Sequence, residues 1–342
     1  MYLRNAWYVA GWSKDFGQDL KPERLLGENI VIYRKQDGAP VALEDACPHR
    51  KLPLSKGKRK GDAVECGYHG LTFDCSGMCV AAPTQPDKIP VRAIVRSYPV
   101  VDRYRLLWIW MGNPALADPD TIFPIANFDS PDWGYTDGGV LDIDCNYLWI
   151  VDNLLDPSHV AWVHLTSFAG AGTDDQPLEI TRTDRGVIVS RWIYGRPPSP
   201  YYAGLVKFEG VCDRLQHYEM CVPAIALNKS VYTPAGTGGP GAAPVDNTYV
   251  NISYNFMTPI DEERSRYFWF QHRNTDPQDK AISEKMNAGA RMAFEEDREV
   301  LVAVHEGMRD KQTPNIDLGL DAGAKLFRLH LQRLMDREAG AA

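Results

Sequence analysis

Two pairs of Cys and His are the clearest chemical feature of the sequence. One residue separates Cys47 from His49, two residues separate Cys66 from His69, and sixteen residues lie between the pairs. Two thiolates and two imidazoles form a complete set of four metal ligands. Such a set suits either a structural zinc ion or a two-iron two-sulfur cluster in which two His replace two Cys on one iron.

The order of the ligands distinguishes these alternatives. Zinc fingers usually pair Cys with Cys and His with His, whereas each pair here contains one of each, so each loop can give one ligand to each iron. Cys47-Pro48-His49-Arg50 and Cys66-Gly67-Tyr68-His69-Gly70 resemble the cluster-binding motif of Rieske proteins. We therefore predict a Rieske cluster, with structural zinc as the alternative.

A second candidate metal site follows at Asp156, His159 and His164. A Rieske cluster transfers single electrons, so another centre must use them. On an ideal helix His164 would be turned by about 140° from His159, and Pro157 provides the irregularity that could bring both to one ion. A His-x4-His pair alone is more often two packed imidazoles. After a Rieske motif it indicates a mononuclear non-heme Fe(II) site of two His and a carboxylate.

The whole pattern resembles the oxygenase component of Rieske non-heme iron oxygenases, and most of all the aromatic O-demethylases that act on vanillate and dicamba. It is carried by both ligand sets and by three further segments, namely Arg4–Ala10, Asp144–Tyr147 and Val151–Leu154. The resemblance implies an α+β fold, with an N-terminal all-β Rieske domain over residues 1–115. A C-terminal helix-grip domain of antiparallel sheet and helices would cover residues 116–342.

The resemblance also implies the roles of individual residues. Asp297 aligns with the third iron ligand, beside His159 and His164; the neighbouring Glu295, Glu296 and Glu299 fit a solvated helix face. Catalytic roles are implied for Asn153 and Asp156, with Asp156 bridging His69 of one subunit to His159 of the next in a head-to-tail homotrimer.

Two Asn residues are the candidate substrate contacts. Asn228 aligns with a polar pocket residue of the dicamba-type enzymes, and Asn255 stands where that pattern has a His. Ala288 aligns with a Trp of the same pattern, so the dicamba-like substrate is in doubt. The expected substrate is a polar aromatic compound with a methoxy group and a carboxylate.

The function that follows is O-demethylation of a methoxylated, vanillate-like aromatic acid, with O2 as co-substrate and release of formaldehyde. Electrons would come from NAD(P)H through a separate reductase or ferredoxin, because Gly236–Gly241 has Pro240 where a dinucleotide-binding helix would begin. A ring or methyl hydroxylase uses the same metals and stays an alternative. A simple electron carrier would not need the long C-terminal part of the chain.

Composition limits the remaining partners. The 342 residues carry a net charge of -8, which argues against nucleic acid and anionic membranes, although Lys56–Gly61 forms a basic segment. No apolar run is long enough to span a bilayer and the N-terminus has no signal-peptide pattern, so a cytoplasmic location is expected. Seven Cys in such a chain do not indicate disulfides, and Cys75 and Cys79 are interpreted as hairpin residues.

Local patterns predict the elements that position these residues. Short strands flank both ligand loops, for example residues 29–34 and 40–44, and further strands are expected between residues 187 and 273. A helix should begin near Tyr147, with Asp144 or Asn146 as its N-cap. A long helix is expected over residues 277–309 and an amphipathic helix over residues 321–337.

Overall fold

A computed structural model describes residues 1–86, 88–165, 168, 176–310 and 312–340. The chain divides into two compact units, one made of Met1–Pro124 with Thr258–Glu262 and one made of Ile125–Met257 with Glu263–Ala342. A domain boundary near residue 115 was predicted, whereas the first unit runs to Pro124 and includes a short segment from much later in the chain.

The first unit is built from short antiparallel strands. Their bounds are β1 (Trp7–Trp12), β2 (Lys21–Leu25), β3 (Glu28–Arg34), β4 (Pro40–Glu44), β5 (Lys58–Lys60), β6 (Ala63–Glu65), β7 (Thr72–Phe73), β8 (Cys79–Ala81), β9 (Ser97–Tyr98), β10 (Val100–Arg103) and β11 (Leu106–Trp110). Three of these strands form a sheet in the order β1-β11-β10. The others form two four-stranded sheets, in the orders β2-β3-β4-β9 and β5-β6-β7-β8.

These strands position the two Cys-His loops. The first loop follows β4 and the second joins β6 to β7. Between them the backbone is closely packed at Gly57, where a Cβ atom would lie 2.1 Å from the carbonyl oxygen of Glu65, so only glycine fits. Cys75 lies in the turn between β7 and β8, as the hairpin interpretation predicted.

The second unit is an eight-stranded antiparallel sheet with helices. The elements of this unit are β12 (Gly134–Tyr135), β13 (Gly139–Ile143), α1 (Tyr147–Leu154), α2 (Val160–Val163), β14 (Glu179–Arg182), β15 (Gly186–Arg196), α3 (Pro200–Ala203), β16 (Cys212–Cys221), β17 (Ile225–Pro234), β18 (Tyr249–Pro259), β19 (Ser265–Arg273), α4 (Lys280–Arg309) and α5 (Ala322–Gly340). The strands follow each other across the sheet in the order β12-β19-β18-β17-β16-β15-β14, and β13 also pairs with β19.

Helix α1 begins and ends for local reasons. Its N-cap is Asn146, whose side chain accepts a hydrogen bond of 3.1 Å from the backbone N–H of Leu148; Asp144, the other predicted cap, lies outside the helix. The helix stops at Leu154, because the residue before Pro157 is disfavoured in helical conformation. Pro157 therefore ends a helix, where the sequence suggested an irregularity inside one.

Helix α4 has a buried stripe that recurs every three or four residues. Its members are Met286, Ala290, Ala293, Asp297, Leu301 and His305. Asp297 is thus the acidic residue of the Glu295–Glu299 segment that faces the interior. Within the described residues, no helix combines the length and the apolar character that crossing a bilayer requires.

Candidate metal centres and active site

The two Cys-His loops of the first unit have the same backbone design. In the first, the N–H of Cys47 donates to the carbonyl of Leu52 at 2.9 Å, and the N–H of Lys51 donates back to the carbonyl of Cys47 at 2.8 Å. The second loop repeats this pattern, with the bonds Cys66 N–H to Leu71 (2.8 Å) and Gly70 N–H to Cys66 (3.1 Å). Lys51 and Gly70, the fourth residue after each Cys, both have positive φ.

The loops bring all four predicted ligands together around a small cavity. Cys47 and Cys66 are buried, with 2% and 3% of their surface exposed. The Nδ1 atoms of His49 and His69 lie 3.1 Å apart. Burial raises the pKa of the Cys47 thiol, and the neighbouring Cys66 thiol raises it further. Two buried sulfur atoms and two facing imidazole nitrogens are the donor set that a Rieske cluster requires.

The second unit brings together His159, His164 and Asp297. One donor atom of each lies within 4.8 Å of the others. Oδ1 of Asp297 is 3.5 Å from Nε2 of His159 and 3.3 Å from Nε2 of His164. Adjacent ligands of one ion, each about 2.1 Å from it, are separated by about 3 Å. The three side chains are therefore spaced as neighbouring ligands of a single metal ion.

Hydrogen bonds determine which nitrogen of each imidazole faces the position between the three ligands where a metal ion would bind. Nδ1 of His159 contacts the backbone carbonyl of Asp156, and Nδ1 of His164 lies 2.7 Å from Oε2 of Glu296. A carbonyl or carboxylate oxygen can only accept, so Nδ1 carries a proton in both rings and Nε2 is the nitrogen available to a metal ion held between it and Asp297. This is the tautomer that binds metal through Nε2.

Charge also acts on His164. Burial lowers the pKa of its imidazole, but the carboxylates of Asp297 and Glu296 outweigh this and raise the pKa above its usual value. Glu296 is half-buried, and its contact with His164 corrects the expectation that it belongs to a solvated face. Glu295 fits that expectation better, since it pairs with Arg298 at 2.6 Å.

The two residues for which a catalytic role was implied also lie here. Nδ2 of Asn153 donates to Oδ1 of Asp297 at 3.1 Å, which orients the carboxylate. The Asp156 carboxylate accepts from the backbone N–H of Ser158 at 2.7 Å. Within this chain it is thus the backbone carbonyl of Asp156 that contacts His159, while the carboxylate shapes the turn before it.

A cavity of about 720 Å³, counting the open space at its mouth, adjoins the three candidate ligands. Its lining combines aromatic and aliphatic groups with amides and hydroxyls: besides His159, His164 and Asp297, it includes Leu154, Val160, Phe168, Tyr202, Gln216, Tyr218, Asn228, Ser230, Tyr232, Asn251, Ser253, Asn255, Gln271, Ala290, Ala293 and Phe294. No Lys or Arg is among these described lining residues. The cavity is suited to an aromatic molecule with polar substituents.

The two candidate substrate residues lie on this lining but have different surroundings. Asn255 is held inside the protein: its Oδ1 accepts from the hydroxyl of Tyr267 at 2.8 Å, and its Nδ2 donates to Asn228 at 3.3 Å. Among the described residues, Nδ2 of Asn228 donates only a long bond of 3.5 Å to the carbonyl of Leu154, which leaves one N–H for a ligand. Ala288 is exposed on α4, away from the lining residues, so a Trp at that position would not face the cavity.

Three further histidines make packing or surface contacts. His305 accepts from Nε1 of Trp149 at 3.1 Å and lies 3.0 Å from Glu263. His272 stacks on Phe128, and His217 lies 3.5 Å from Glu219.

In the basic segment Lys56–Gly61, the side chains of Lys58 and Lys60 both pair with Glu65. These ion pairs reduce the free positive charge of the segment.

Fold, loops and ligands together define an oxygenase component with a Rieske domain and a mononuclear iron domain. Residues 6–99 match the Rieske [2Fe-2S] domain, and residues 143–337 match the vanillate O-demethylase oxygenase C-terminal domain. The chain belongs to the family of Rieske oxygenase components that carry this C-terminal domain. The Rieske match excludes the zinc alternative, and the second domain excludes a simple electron carrier.

Comparison with individual proteins agrees with this family assignment. The chain is 40% identical to TsaM1, the iron-sulfur subunit of the toluene-4-sulfonate monooxygenase system of Comamonas testosteroni, over 99% of both chains. It is 32% identical to the vanillate O-demethylase oxygenase subunit of Pseudomonas sp. (strain HR199 / DSM 7063), over 100% of this chain and 97% of that one. Crystalline dicamba monooxygenase bound to 3,6-dichlorosalicylic acid superposes with a TM-score of 0.90 at 30% identity, over 99% of both chains.

Membership in this family identifies the cofactors of the chain. The chain carries a Rieske two-iron two-sulfur cluster and a mononuclear iron, and it receives NAD(P)H electrons through a separate reductase. Cys47, His49, Cys66 and His69 fit the first group, and His159, His164 and Asp297 fit the second.

Proposed function

We propose that this chain removes the methyl group from a methoxylated aromatic acid related to vanillate and releases it as formaldehyde. The observation that carries this proposal is the position of His159, His164 and Asp297 on the wall of a cavity that is aromatic and polar at once. A substrate ring in this cavity would have its substituents next to the metal ligands. The vanillate and dicamba O-demethylases among the relatives support the methoxy group as the target.

The chain's own residues would hold and orient the reactants. His159, His164 and Asp297 would bind Fe(II) and leave its other positions open toward the cavity. The iron, when bound, supplies O2 activation for insertion of one oxygen atom into a C–H bond. The apolar side chains of Leu154, Val160 and Phe294 line the cavity and would keep water from the bound reactants, and the Asn228 N–H would hold a polar substituent.

The reaction balances with two electrons from outside the chain. One oxygen atom of O2 converts the methoxy C–H bond to C–OH, and the other leaves as water after taking up two electrons and two protons. The hemiacetal formed in this way breaks at its carbon–oxygen bond to the ring oxygen, giving a phenol and formaldehyde. The electrons come from NAD(P)H through the reductase and the Rieske cluster.

The assembly is part of the proposal. We expect a head-to-tail homotrimer in which Asp156 joins His69 of one subunit to His159 of the neighbouring subunit. Sedimentation of the protein carrying both metal groups would test this, because a monomer at working concentration would remove the basis for transfer between subunits.

The experiment that tests the reaction is product analysis during aerobic turnover. The protein carrying both metal groups, a surrogate reductase and NADH would be given a panel of methoxylated and unmethoxylated aromatic acids, and formaldehyde, O2 consumption and aromatic products would be measured. We expect one formaldehyde and one phenol for each O2 consumed with a methoxylated acid. Consumption of O2 and a methoxylated acid without formaldehyde would contradict O-demethylation.

A second candidate is hydroxylation of a methyl group on the ring. It is favoured by the 40% identity to a subunit of the toluene-4-sulfonate monooxygenase system. The same metal ligands and cavity would serve it, since both reactions insert oxygen into a methyl C–H bond. Benzylic alcohol formed from a methyl-substituted acid, without formaldehyde, would identify this alternative.

A further inference from the structure

A second polar row crosses the cavity one step beyond Asn228. Asn228 lies opposite Tyr218 on β16 and Ser253 on β18. Two residues further along β17, Ser230 lies opposite Gln216 on β16 and Asn251 on β18. Because side chains of a strand alternate between its faces, both rows point to the same side of the sheet. All three members of the second row line the cavity.

Asn251 presents an acceptor that the protein leaves unused. Its side chain is almost fully buried, with 1% exposed, and its Nδ2 donates to the hydroxyl of Tyr202 at 3.1 Å. That hydroxyl donates onward to Oγ of Ser230 at 3.2 Å. Oδ1 of Asn251 has no hydrogen-bond partner in the described part of the chain. A buried oxygen on a cavity wall gains a bond when a ligand brings an O–H or N–H donor to it.

Gln216, at the other end of the row, presents a donor. Its Oε1 accepts from Nε of Arg191 at 2.7 Å. A guanidinium can only donate, so this contact fixes the orientation of the amide and leaves the NH2 group of Gln216 for a ligand. Arg191 itself is buried behind Gln216 and also donates to the carbonyl of Pro157 at 3.1 Å.

We infer that Gln216, Ser230 and Asn251 form a specificity subsite for a neutral hydroxyl or amide group of the substrate. Such a group can donate its hydrogen to Oδ1 of Asn251, and its oxygen can accept from the amide of Gln216. A carboxylate or sulfonate fits poorly, since it has no hydrogen for Asn251 and meets no cation among the described lining residues. An acid group of the substrate therefore lies toward the mouth of the cavity, where water solvates it.

This inference rests on the proposed function in one respect, that the cavity holds the substrate. It is tested by binding alone, with the protein that carries both metal groups, without O2 or reductase. The probes are 4-hydroxy-3-methoxybenzoate and 4-fluoro-3-methoxybenzoate, which are similar in size and differ in the hydroxyl donor. Isothermal titration calorimetry gives the two dissociation constants and their ratio for each variant.

We expect the wild-type protein to bind the hydroxy acid about 10-fold more tightly than the fluoro acid, as one good hydrogen bond to a buried acceptor gives. Asn251→Leu should reduce this ratio to less than about 3-fold and leave the affinity for the fluoro acid nearly unchanged, which also shows that the variant is folded. Asn251→Asp keeps an acceptor and should keep the preference for the hydroxy acid.

Three outcomes would overturn the inference: equal binding of the two acids to the wild type, an unchanged ratio in Asn251→Leu, or no binding of either acid. The proposed function fails separately. Formaldehyde release together with equal binding contradicts only the subsite, whereas the expected ratios without any demethylation contradict only the reaction.

Discussion

Nδ1 of His164 lies 2.7 Å from a carboxylate oxygen of Glu296. Glu296 directly precedes the candidate iron ligand Asp297 in the sequence. Helix α4 therefore contributes two consecutive acidic side chains to one imidazole. Asp297 approaches the Nε2 side of the ring, and Glu296 accepts a hydrogen bond from the opposite nitrogen, Nδ1. This pair of contacts sets both the orientation of His164 and the tautomer that can bind metal.

The first prediction concerns Glu296. Glu296→Leu should weaken Fe(II) binding by about 10- to 100-fold, because His164 loses the acceptor that fixes its tautomer. Glu296→Gln should retain most of the affinity, since its amide oxygen can still accept from Nδ1. Affinity would be measured by competition with a chelator on protein that already carries the Rieske cluster. Glu295→Leu is the matched control and should bind Fe(II) as the wild type does. Wild-type affinity in Glu296→Leu would contradict the role of Glu296 in fixing the tautomer of His164.

The second prediction concerns the Rieske loops. Cys66→Ser should abolish the visible absorption and the electron paramagnetic resonance signal of the reduced cluster, because the set of four ligands becomes incomplete. Cys75→Ser is the control, since Cys75 lies in the turn after β7 and outside the ligand set. A cluster signal of full intensity in Cys66→Ser would mean that another residue supplies the ligand.

The third prediction concerns Asp156. Asp156→Asn can still accept from the N–H of Ser158 but loses the negative charge. If Asp156 joins the two centres, both metals should be retained while turnover falls by about 10- to 100-fold. Oxidation of the reduced cluster after mixing with O2 and substrate would be followed by stopped flow. Exposed Asp129 provides the control substitution Asp129→Asn, and a wild-type rate in Asp156→Asn would refute the bridging role.

The fourth prediction concerns the attachment of α5 to α1. Arg328 binds both carboxylate oxygens of Asp152, at 2.9 and 2.6 Å, and lies over the ring of Trp149. Arg328→Met leaves a half-buried carboxylate without these bonds and should lower the melting temperature by about 2 to 8 °C. Arg333→Met, at an exposed position of the same helix, should change it little. Equal melting curves for the two variants would show that this ion pair does not stabilise the unit.

Some features of the fold follow directly from local sequence. The strand Pro40–Glu44 was predicted with its observed bounds, and α4 and α5 each begin or end within three residues of expectation. Asn146, the observed N-cap of α1, is one of the two caps that local sequence predicted. These features depend on near neighbours in the chain, so one sequence suffices to predict them.

The ligand set shows where pattern and family each contribute. Resemblance pointed to Asp297, but a physical signal was also present: Asp297 is four residues after Ala293 and four before Leu301, on the buried stripe of α4. The contact of Glu296 with His164 could not be seen in this way, because it joins a helix to a loop 132 positions away. The row of Gln216, Ser230 and Asn251 depends on the register of three strands, which turn geometry and the hydrophobic patterns of all three strands set together, so it does not follow from the pattern of any one strand.

The central claim is that one chain carries a Rieske cluster in its first unit and a separate iron at His159, His164 and Asp297 in its second. Its most direct test is the iron content of Asp297→Ala beside Glu295→Ala after full loading, with the cluster spectrum recorded on the same samples. We predict about three irons per chain in the wild type and in Glu295→Ala, and about two with an unchanged cluster spectrum and no turnover in Asp297→Ala. Three irons and full turnover in Asp297→Ala would contradict the account.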